Sequence, residues 1–394
     1  MSGFHCRRCT APVDPVHPRC GSCGGAVWYA ADDAAVVRAA TGSPRAALPA
    51  MARGVTMGEG ATPLVTCAAA GHTVHAKLDS LNPTCSFKDR GSAALVSAVA
   101  DASTPWQGIV VASTGNTAPS VAAYAARAGV PVAVVVPAGT SMAKLGQVAA
   151  HDATVFTVEG TFSDCFTLAQ QTAGETVLNA TAVYSANPFV AMANRTVAFE
   201  LLEQLPAPPT HVTVPVGAGP LLGGIDQGFR EAVAAGLLDR RPAMVCVQAR
   251  GCHPIVQAYE ADRPVTAWTG PITTTVGAIA DPLVGYPEDG ETTRQAVLDS
   301  GGSAIALPDA QIHAAADDLA RRYGIYAEPA AAAGVGVVEE LSLDADAVVV
   351  AMVTGHGLKE PPASDGADGG LARPADPDAI AAALVSAGDD PRAA

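Results

Sequence analysis

Between residues 55 and 360 the chain alternates short apolar runs with stretches of helical period. Gly108–Ala112 precedes Pro119–Ala128, Pro131–Val136 precedes Met142–Ala149, and Val212–Val216 precedes Leu221–Ala235; Ala347–Val353 ends the series. The short runs are continuous Val, Ile and Ala, not alternating apolar and polar. A strand of that kind is covered on both faces, which is the mark of a parallel sheet. Such strands followed by helices predict a doubly wound α/β fold. Residues 1–28 lie outside this rhythm and carry two Cys-x-x-Cys pairs, and a Pro- and Ala-rich connector covers 29–54. Residues 361–394, rich in Pro, Gly, Asp and Ala, predict an acidic, mostly disordered tail with one helix over Pro377–Ala387.

The 394 residues are 49% apolar, enough for a large core in two or three structural units. A positive mean hydropathy would suit a membrane, but no run approaches the ~20 apolar residues of a spanning helix. The longest, Val130–Ala138, is broken by Pro131 and Pro137 and reads as a buried strand. Met1–Cys6 has no charged n-region and no apolar h-region. A net charge of −15 opposes binding to nucleic acid or an anionic membrane, since both need a basic face. Nine cysteines, four gathered at the N-terminus and five single, suit a reducing compartment. The chain therefore reads as soluble and cytoplasmic.

Of the 23 Lys and Arg residues only Lys77, Lys88, Lys144 and Lys359 are lysines. Lysine forms imines and arginine does not, so a lysine kept against this bias is a candidate for chemistry. Lys88 lies in Asn82-Pro83-Thr84-Cys85-Ser86-Phe87-Lys88-Asp89-Arg90-Gly91. Ser86 and Asp89 match a capping box, which predicts a helix starting here with Lys88 in its first turn. The positive end of the helix dipole disfavours an ammonium there and lowers the lysine pKa. Read alone, the segment suits an exposed first-turn lysine about as well as a catalytic one.

Three further segments each follow a strand. Ser113-Thr114-Gly115-Asn116-Thr117 sits at a strand end, where open α/β sheets bind ligands. Asn116 offers a donor and an acceptor to a phenolic oxygen, or serves as an ordinary helix cap. In Gly217-Ala218-Gly219-Pro220-Leu221-Leu222-Gly223-Gly224 the glycines let backbone N–H groups close on a phosphate, with Pro220 in the first helical turn. A dinucleotide is the rival ligand, but Ala243–Arg250 holds no Asp or Glu to meet a ribose. Thr354-Gly355-His356-Gly357-Leu358-Lys359 offers a hydroxyl to a pyridine nitrogen, or is a plain strand-end turn.

Joined in this order, the four segments resemble the fold-type-II pyridoxal phosphate enzymes, and threonine synthase most closely. Gly58-Glu59-Gly60-Ala61-Thr62-Pro63-Leu64, Asn187-Pro188 and Glu328-Pro329-Ala330 extend the resemblance, which runs from Gly58 to Lys359. It implies two doubly wound open-sheet subdomains over 55–360, the smaller one, about 94–200, inserted in the larger. It implies that Lys88 carries pyridoxal 5′-phosphate and moves the α-proton of an amino-acid substrate. Asn116 then meets the cofactor's 3′-oxygen, Gly217, Ala218, Gly219, Pro220 and Leu221 its phosphate, and Thr354 its ring nitrogen. Ser113, Thr117 and Ser185 face the substrate, and the usual assembly is a homodimer. A neutral hydroxyl at Thr354 suits elimination and replacement at the β- or γ-carbon more than transamination.

The resemblance breaks in the segment that grips the substrate phosphate. Threonine synthases usually show Asn-Ser-x-Asn-Pro-x-Arg; here Tyr184-Ser185-Ala186-Asn187-Pro188-Phe189-Val190 keeps the serine but lacks the first Asn and the Arg. Arg195 is five residues on, about 140° around a helix, and does not replace the missing charge. The glycine loop looks more like that of serine/threonine dehydratases, and Cys85 stands where a glycine is usual. These departures keep β-replacement and dehydratase activities beside threonine synthesis. Two rival classes are a catalytically silent homologue used as an interaction module, against which the retention of Lys88, Asn116 and Thr354 argues, and a nucleotide-binding protein using the Gly217 loop.

Cys6-x-x-Cys9 and Cys20-x-x-Cys23, ten residues apart, have zinc-ribbon spacing. Two knuckles supply four thiolates, which close the metal to substrate and predict a structural Zn2+, with iron as the minor alternative. Some threonine synthases and their relatives carry such a ribbon.

Overall fold

The computed structural model describes residues 3–15, 17–101, 103–140 and 142–360. The tail expected over 361–394, with its helix, lies outside the described residues. In chain order the strands are β1 (Gly3–Cys6), β2 (Val27–Ala30), β3 (Leu64–Ala69), β4 (His72–Lys77), β5 (Gly108–Ala112) and β6 (Val132–Pro137). They continue as β7 (Thr154–Val158), β8 (Val177–Asn179), β9 (His211–Pro215), β10 (Ala243–Ala249), β11 (Ser303–Leu307) and β12 (Val349–Met352). One sheet runs β11-β10-β9-β12-β4-β3 and a second runs β7-β6-β5-β8, while β1 and β2 form a separate antiparallel pair.

All pairings in the two large sheets are parallel except β3 with β4. The continuous apolar runs are the interior strands, as their pattern predicts. Every residue of β12 is buried, as are Val212, Thr213, Val214 and Pro215 of β9. At the sheet edge, Thr154, Phe156 and Thr157 of β7 are exposed. The chain's open α/β architecture is therefore the one expected.

In the larger sheet the chain builds β9, β10 and β11 outward, then returns to place β12 between β9 and β4. The crevice at such a reversal, beyond the carboxyl ends of the strands, is where open sheets take ligands. The Gly217 loop follows β9 and the Thr354 loop follows β12, its direct neighbour. In the smaller sheet β5 sits between β6 and β8, and Ser113–Thr117 follows it.

The helix Lys88–Ala100 joins these sheets. From Asp89 to Val99 all its residues are buried, many of them alanines that let neighbouring helices approach closely. A Cβ on Gly91 would lie 3.2 Å from Val190 Cα. A buried ion cluster anchors the helix start. Arg90 bonds Asp79 at 2.7 and 2.8 Å and Glu200 at 2.5 and 2.9 Å, and Lys77 Nζ lies 2.6 Å from Glu200. Lys77 is thus a structural lysine. The cluster ties the end of β4 to the Lys88 helix and to the helix Thr196–Gln204.

Candidate active site

Lys88 is the first residue of its helix, so its expected place in the first turn is correct. The capping box is not. Ser86 Oγ has no hydrogen-bond partner among the described residues. The Asp89 carboxylate instead accepts from Thr84 N at 2.6 Å, Thr84 Oγ1 at 2.5 Å and Ser120 Oγ at 2.5 Å. The reason is that residues 85–87 are stitched across to the loop after β12. Phe87 N donates to Thr354 O at 2.9 Å and His356 N to Cys85 O at 3.1 Å, with a bridge between Ser86 and Gly355. Ser86 is therefore held as a strand-like residue, and Phe87 takes the position just before the helix.

Lys88 is half-buried. Its Nζ lies 4.3 Å from the centre of the Phe87 ring and makes no hydrogen bond or ion pair among the described residues. Loss of water around it lowers the pKa to about 8, against the opposing charges of Glu328 and Asp281. Burial is the main cause of this lowering.

Asn116 stands just before its helix, but its side chain does not cap it. Its Nδ2 donates to both Glu328 oxygens at 3.1 Å, linking the loop after β5 to the chain beside Thr354. Burial raises the Glu328 pKa to about 7. Gly355 leaves it room, since a Cβ there would come within 2.2 Å of Glu328 Oε1. Thr354 is buried directly beyond β12, Thr117 opens its helix, and Ser113 Oγ accepts from Gly115 N at 3.2 Å.

The glycine loop spends its carbonyls on buried protein groups. Gly217 O accepts from Gln248 Nε2 at 3.4 Å, Ala218 O from Thr293 Oγ1 at 2.7 Å, and Gly219 O from Tyr184 Oη at 2.8 Å. The N–H groups of Gly217, Ala218, Gly219, Leu221 and Leu222 have no partner among the described residues. Pro220 begins the helix Pro220–Ala234, as expected. Gly219 has φ +102°, and a Cβ on it would lie 2.0 Å from Thr293 Oγ1. Unpartnered donors at a helix start are a cradle for an anion, and they fit the phosphate of pyridoxal phosphate.

Asp281 completes the surroundings and had no signal in the sequence, because it lies in an irregular stretch. It accepts from Leu283 N and Tyr286 Oη, both at 2.9 Å. It lies against Gly217, where a Cβ would be 3.3 Å from its own Cβ, and its charge reaches Lys88.

The model of the pyridoxal-phosphate dependent enzyme family matches residues 55–355. The threonine synthase of Mycobacterium leprae is 37% identical over 317 residues, 78% of this chain and 84% of that protein. That of Methanosarcina acetivorans is 35% identical over 329 residues, 80% and 78% of the two chains. The chain belongs to the pyridoxal-phosphate dependent enzymes and is a threonine-synthase-like lyase. Solved structures share the fold of this family. The processed form of threonine deaminase isoform 2 from Solanum lycopersicum superimposes with a TM-score of 0.64 at 19% identity, over 83% of this chain and 91% of that one. Maize serine racemase gives 0.65 at 19% identity, over 91% and 98%.

In this family member the segment 184–190 is committed to the protein itself. Ser185 donates to Asp289 Oδ2 through its N–H at 3.0 Å and its hydroxyl at 3.2 Å. Burial raises the Asp289 pKa to about 7. Val190 packs on Gly91, and Tyr184 serves the glycine loop. Arg195 is fully buried, paired with Glu231 at 2.6 Å and bonded to Ala47 O and Met192 O, so it offers nothing to a substrate. Cys85 has φ +66°, in the left-handed region that favours glycine.

The four N-terminal sulfurs lie within 4.8 Å of one another. Cys6 and Cys23 are 3.3 Å apart and Cys9 and Cys20 3.6 Å, too far for disulfides. Four sulfurs bound tetrahedrally to zinc would stand about 3.8 Å apart, so the cluster has the size of a four-thiolate metal site. Gly25 is required beside it: a Cβ there would be 2.8 Å from Cys6 Sγ.

Proposed function

We propose that this lyase acts on an amino acid whose leaving group is not a phosphate held by residues 184–190. Lys88 is the lysine that carries the cofactor. Gly217 to Leu221 hold its phosphate through their free N–H groups, Asn116 its 3′-oxygen, and Thr354 its ring nitrogen. Pyridoxal phosphate supplies an electron sink for charge developing at the substrate α-carbon. Lys88 Nζ takes the α-proton and returns it, a task suited by a pKa near 8. Thr354, as a neutral partner, favours β- or γ-elimination and replacement. Ser113, in the loop after β5, and Thr117, at the start of its helix, face the substrate. The four-cysteine cluster holds a structural zinc.

One observation carries the substrate reading: both Ser185 donors are spent on the Asp289 carboxylate. A carboxylate thus occupies the donors that a substrate phosphate would need. With no arginine at position 190, one charged hydrogen bond is also missing, roughly ten- to a hundredfold in affinity. Incubation with O-phosphohomoserine, following phosphate release, tests this. Slow turnover with a high KM is expected, and rapid conversion to threonine would overturn the reading. Release of a 2-oxo acid from serine or threonine would identify a dehydratase, which the Gly-Ala-Gly-Pro-Leu-Leu-Gly-Gly loop favours as the second reading.

A further inference from the structure

We infer that the cysteine ribbon braces the cofactor's phosphate loop through Trp28 and Tyr184. This rests on the assignment of the Gly217 loop to the cofactor phosphate. Trp28 stands on β2, the strand that pairs with the Cys6 strand. Its ring stacks on Tyr184, with centroids 5.6 Å apart and planes 29° apart. On the ribbon the Arg7 guanidinium lies 4.6 Å from the Trp28 ring centre. Tyr184 Oη in turn donates to Gly219 O at 2.8 Å. A continuous row of contacts therefore leads from the ribbon to Gly219, whose own N–H belongs to the phosphate cradle.

The helix that follows the loop is shaped to admit this row. A Cβ on Gly223 would lie 2.0 Å from Tyr184 Oη and 3.1 Å from Trp28 Cη2. Only a bare backbone lets the two rings approach the first turn of the Pro220 helix. Trp28 Nε1 has no hydrogen-bond partner among the described residues, so the indole is kept there by its stacking faces. Tyr184 is then confined between Trp28 and Gly223 with its hydroxyl aimed at one carbonyl. That bond, beside the one from Gly223 N at 3.0 Å, fixes the peptide after Gly219, as Thr293 fixes the one before it through Ala218 O. Gly219 is held from both sides, and its N–H keeps its direction in the cradle. Tyr184 is a positioning residue, and Trp28 positions it. The substitution that removes a polar group from the substrate segment thereby supplies a brace for the cofactor.

The test measures cofactor retention and the phosphate environment. Holoenzyme is equilibrated by ultrafiltration to obtain the dissociation constant, and the 31P resonance of bound pyridoxal phosphate is recorded. Tyr184→Phe, which removes one oxygen and keeps the stack, is expected to weaken retention about three- to tenfold and to shift the resonance. Trp28→Leu should do the same, Trp28→Phe should restore most of the loss, and the Trp28→Leu/Tyr184→Phe pair should be little worse than either single variant. Wild-type retention and an unmoved 31P resonance in Tyr184→Phe would overturn the brace, as would strictly additive losses in the pair. A wild-type protein that takes up no pyridoxal phosphate would defeat the cofactor assignment itself, a separate failure.

Discussion

Asn116 Nδ2 stands 3.1 Å from each carboxylate oxygen of Glu328. Two bonds from one nitrogen hold the amide plane, and they join the end of β5 in one sheet to the residues beside the end of β12 in the other. Glu328, with its pKa raised to about 7 by burial, changes charge within the working range of an enzyme. Above that value it is an anion that accepts from Asn116 at both oxygens; below it one oxygen becomes a donor and the pair loosens. Turnover is expected to rise with pH through an inflection near 7. Glu328→Gln, which cannot accept at its nitrogen, should abolish that inflection and lower kcat roughly ten- to a hundredfold. A pH profile of the variant that keeps the wild-type inflection would show that another group titrates there.

Arg90 supports the site from below. It pairs with Asp79 and Glu200, all three are buried, and Lys77 shares Glu200. Removing one member of a buried pair leaves an uncompensated charge and costs about 3–5 kcal/mol. Arg90→Met should therefore lower stability by roughly that amount in denaturant unfolding. Burial alone would raise the Glu200 pKa, but Arg90 and Lys77 outweigh it and hold the carboxyl at about 2, below its ordinary 4.5. A depressed folded value means that the stabilisation is complete above the unfolded pKa. It is then lost as pH falls towards the folded one. Acid unfolding should steepen between those two values, and Glu200→Gln, already less stable, should lose this pH dependence.

The sequence carried what depends on local pattern and missed what depends on distant partners. Continuous apolar runs marked β5, β6, β9 and β12, because burial on both faces leaves no polar positions. The helix start at Pro220 was readable because proline suits a first helical turn and glycine the turn before it. The Ser86–Asp89 capping box failed for the opposite reason. Its spacing was right, but Thr354 and His356, far along the chain, took the backbone of residues 85–87. Asp281 and Asp289 escaped notice because their importance comes from Lys88 and Ser185, residues that sequence order places far away. That position 190 holds no arginine was visible in the sequence; that Ser185 bonds Asp289 was not.

Asp289 gives the proposed substrate difference a measurable charge. Burial puts its pKa at about 7, so it is mostly ionised at pH 8 and mostly neutral at pH 6. An anion approaching Ser185 meets repulsion at the higher pH and less at the lower. Sulfate, whose own charge is constant over this range, should inhibit more strongly at pH 6 than at pH 8. The Asp289→Asn variant should be inhibited tightly at both, with a flat profile. Equal pH dependence in both proteins would place the titrating group elsewhere.

Cys85 holds a left-handed backbone, φ +66°, where a side chain with a Cβ is strained. The conformation is imposed from outside, by the bond from His356 N to Cys85 O and by that from Cys85 N to Asn82 O at 2.8 Å. Glycine adopts it without the Cβ penalty, so Cys85→Gly should stabilise the protein by about 1 kcal/mol. Cys85→Ala also removes the sulfur but keeps the Cβ, and should bring no such gain. The difference between the two in denaturant midpoint isolates backbone strain from anything the thiol does. If alanine stabilised as much as glycine, the thiol's surroundings rather than the left-handed turn would be the source of strain beside Lys88.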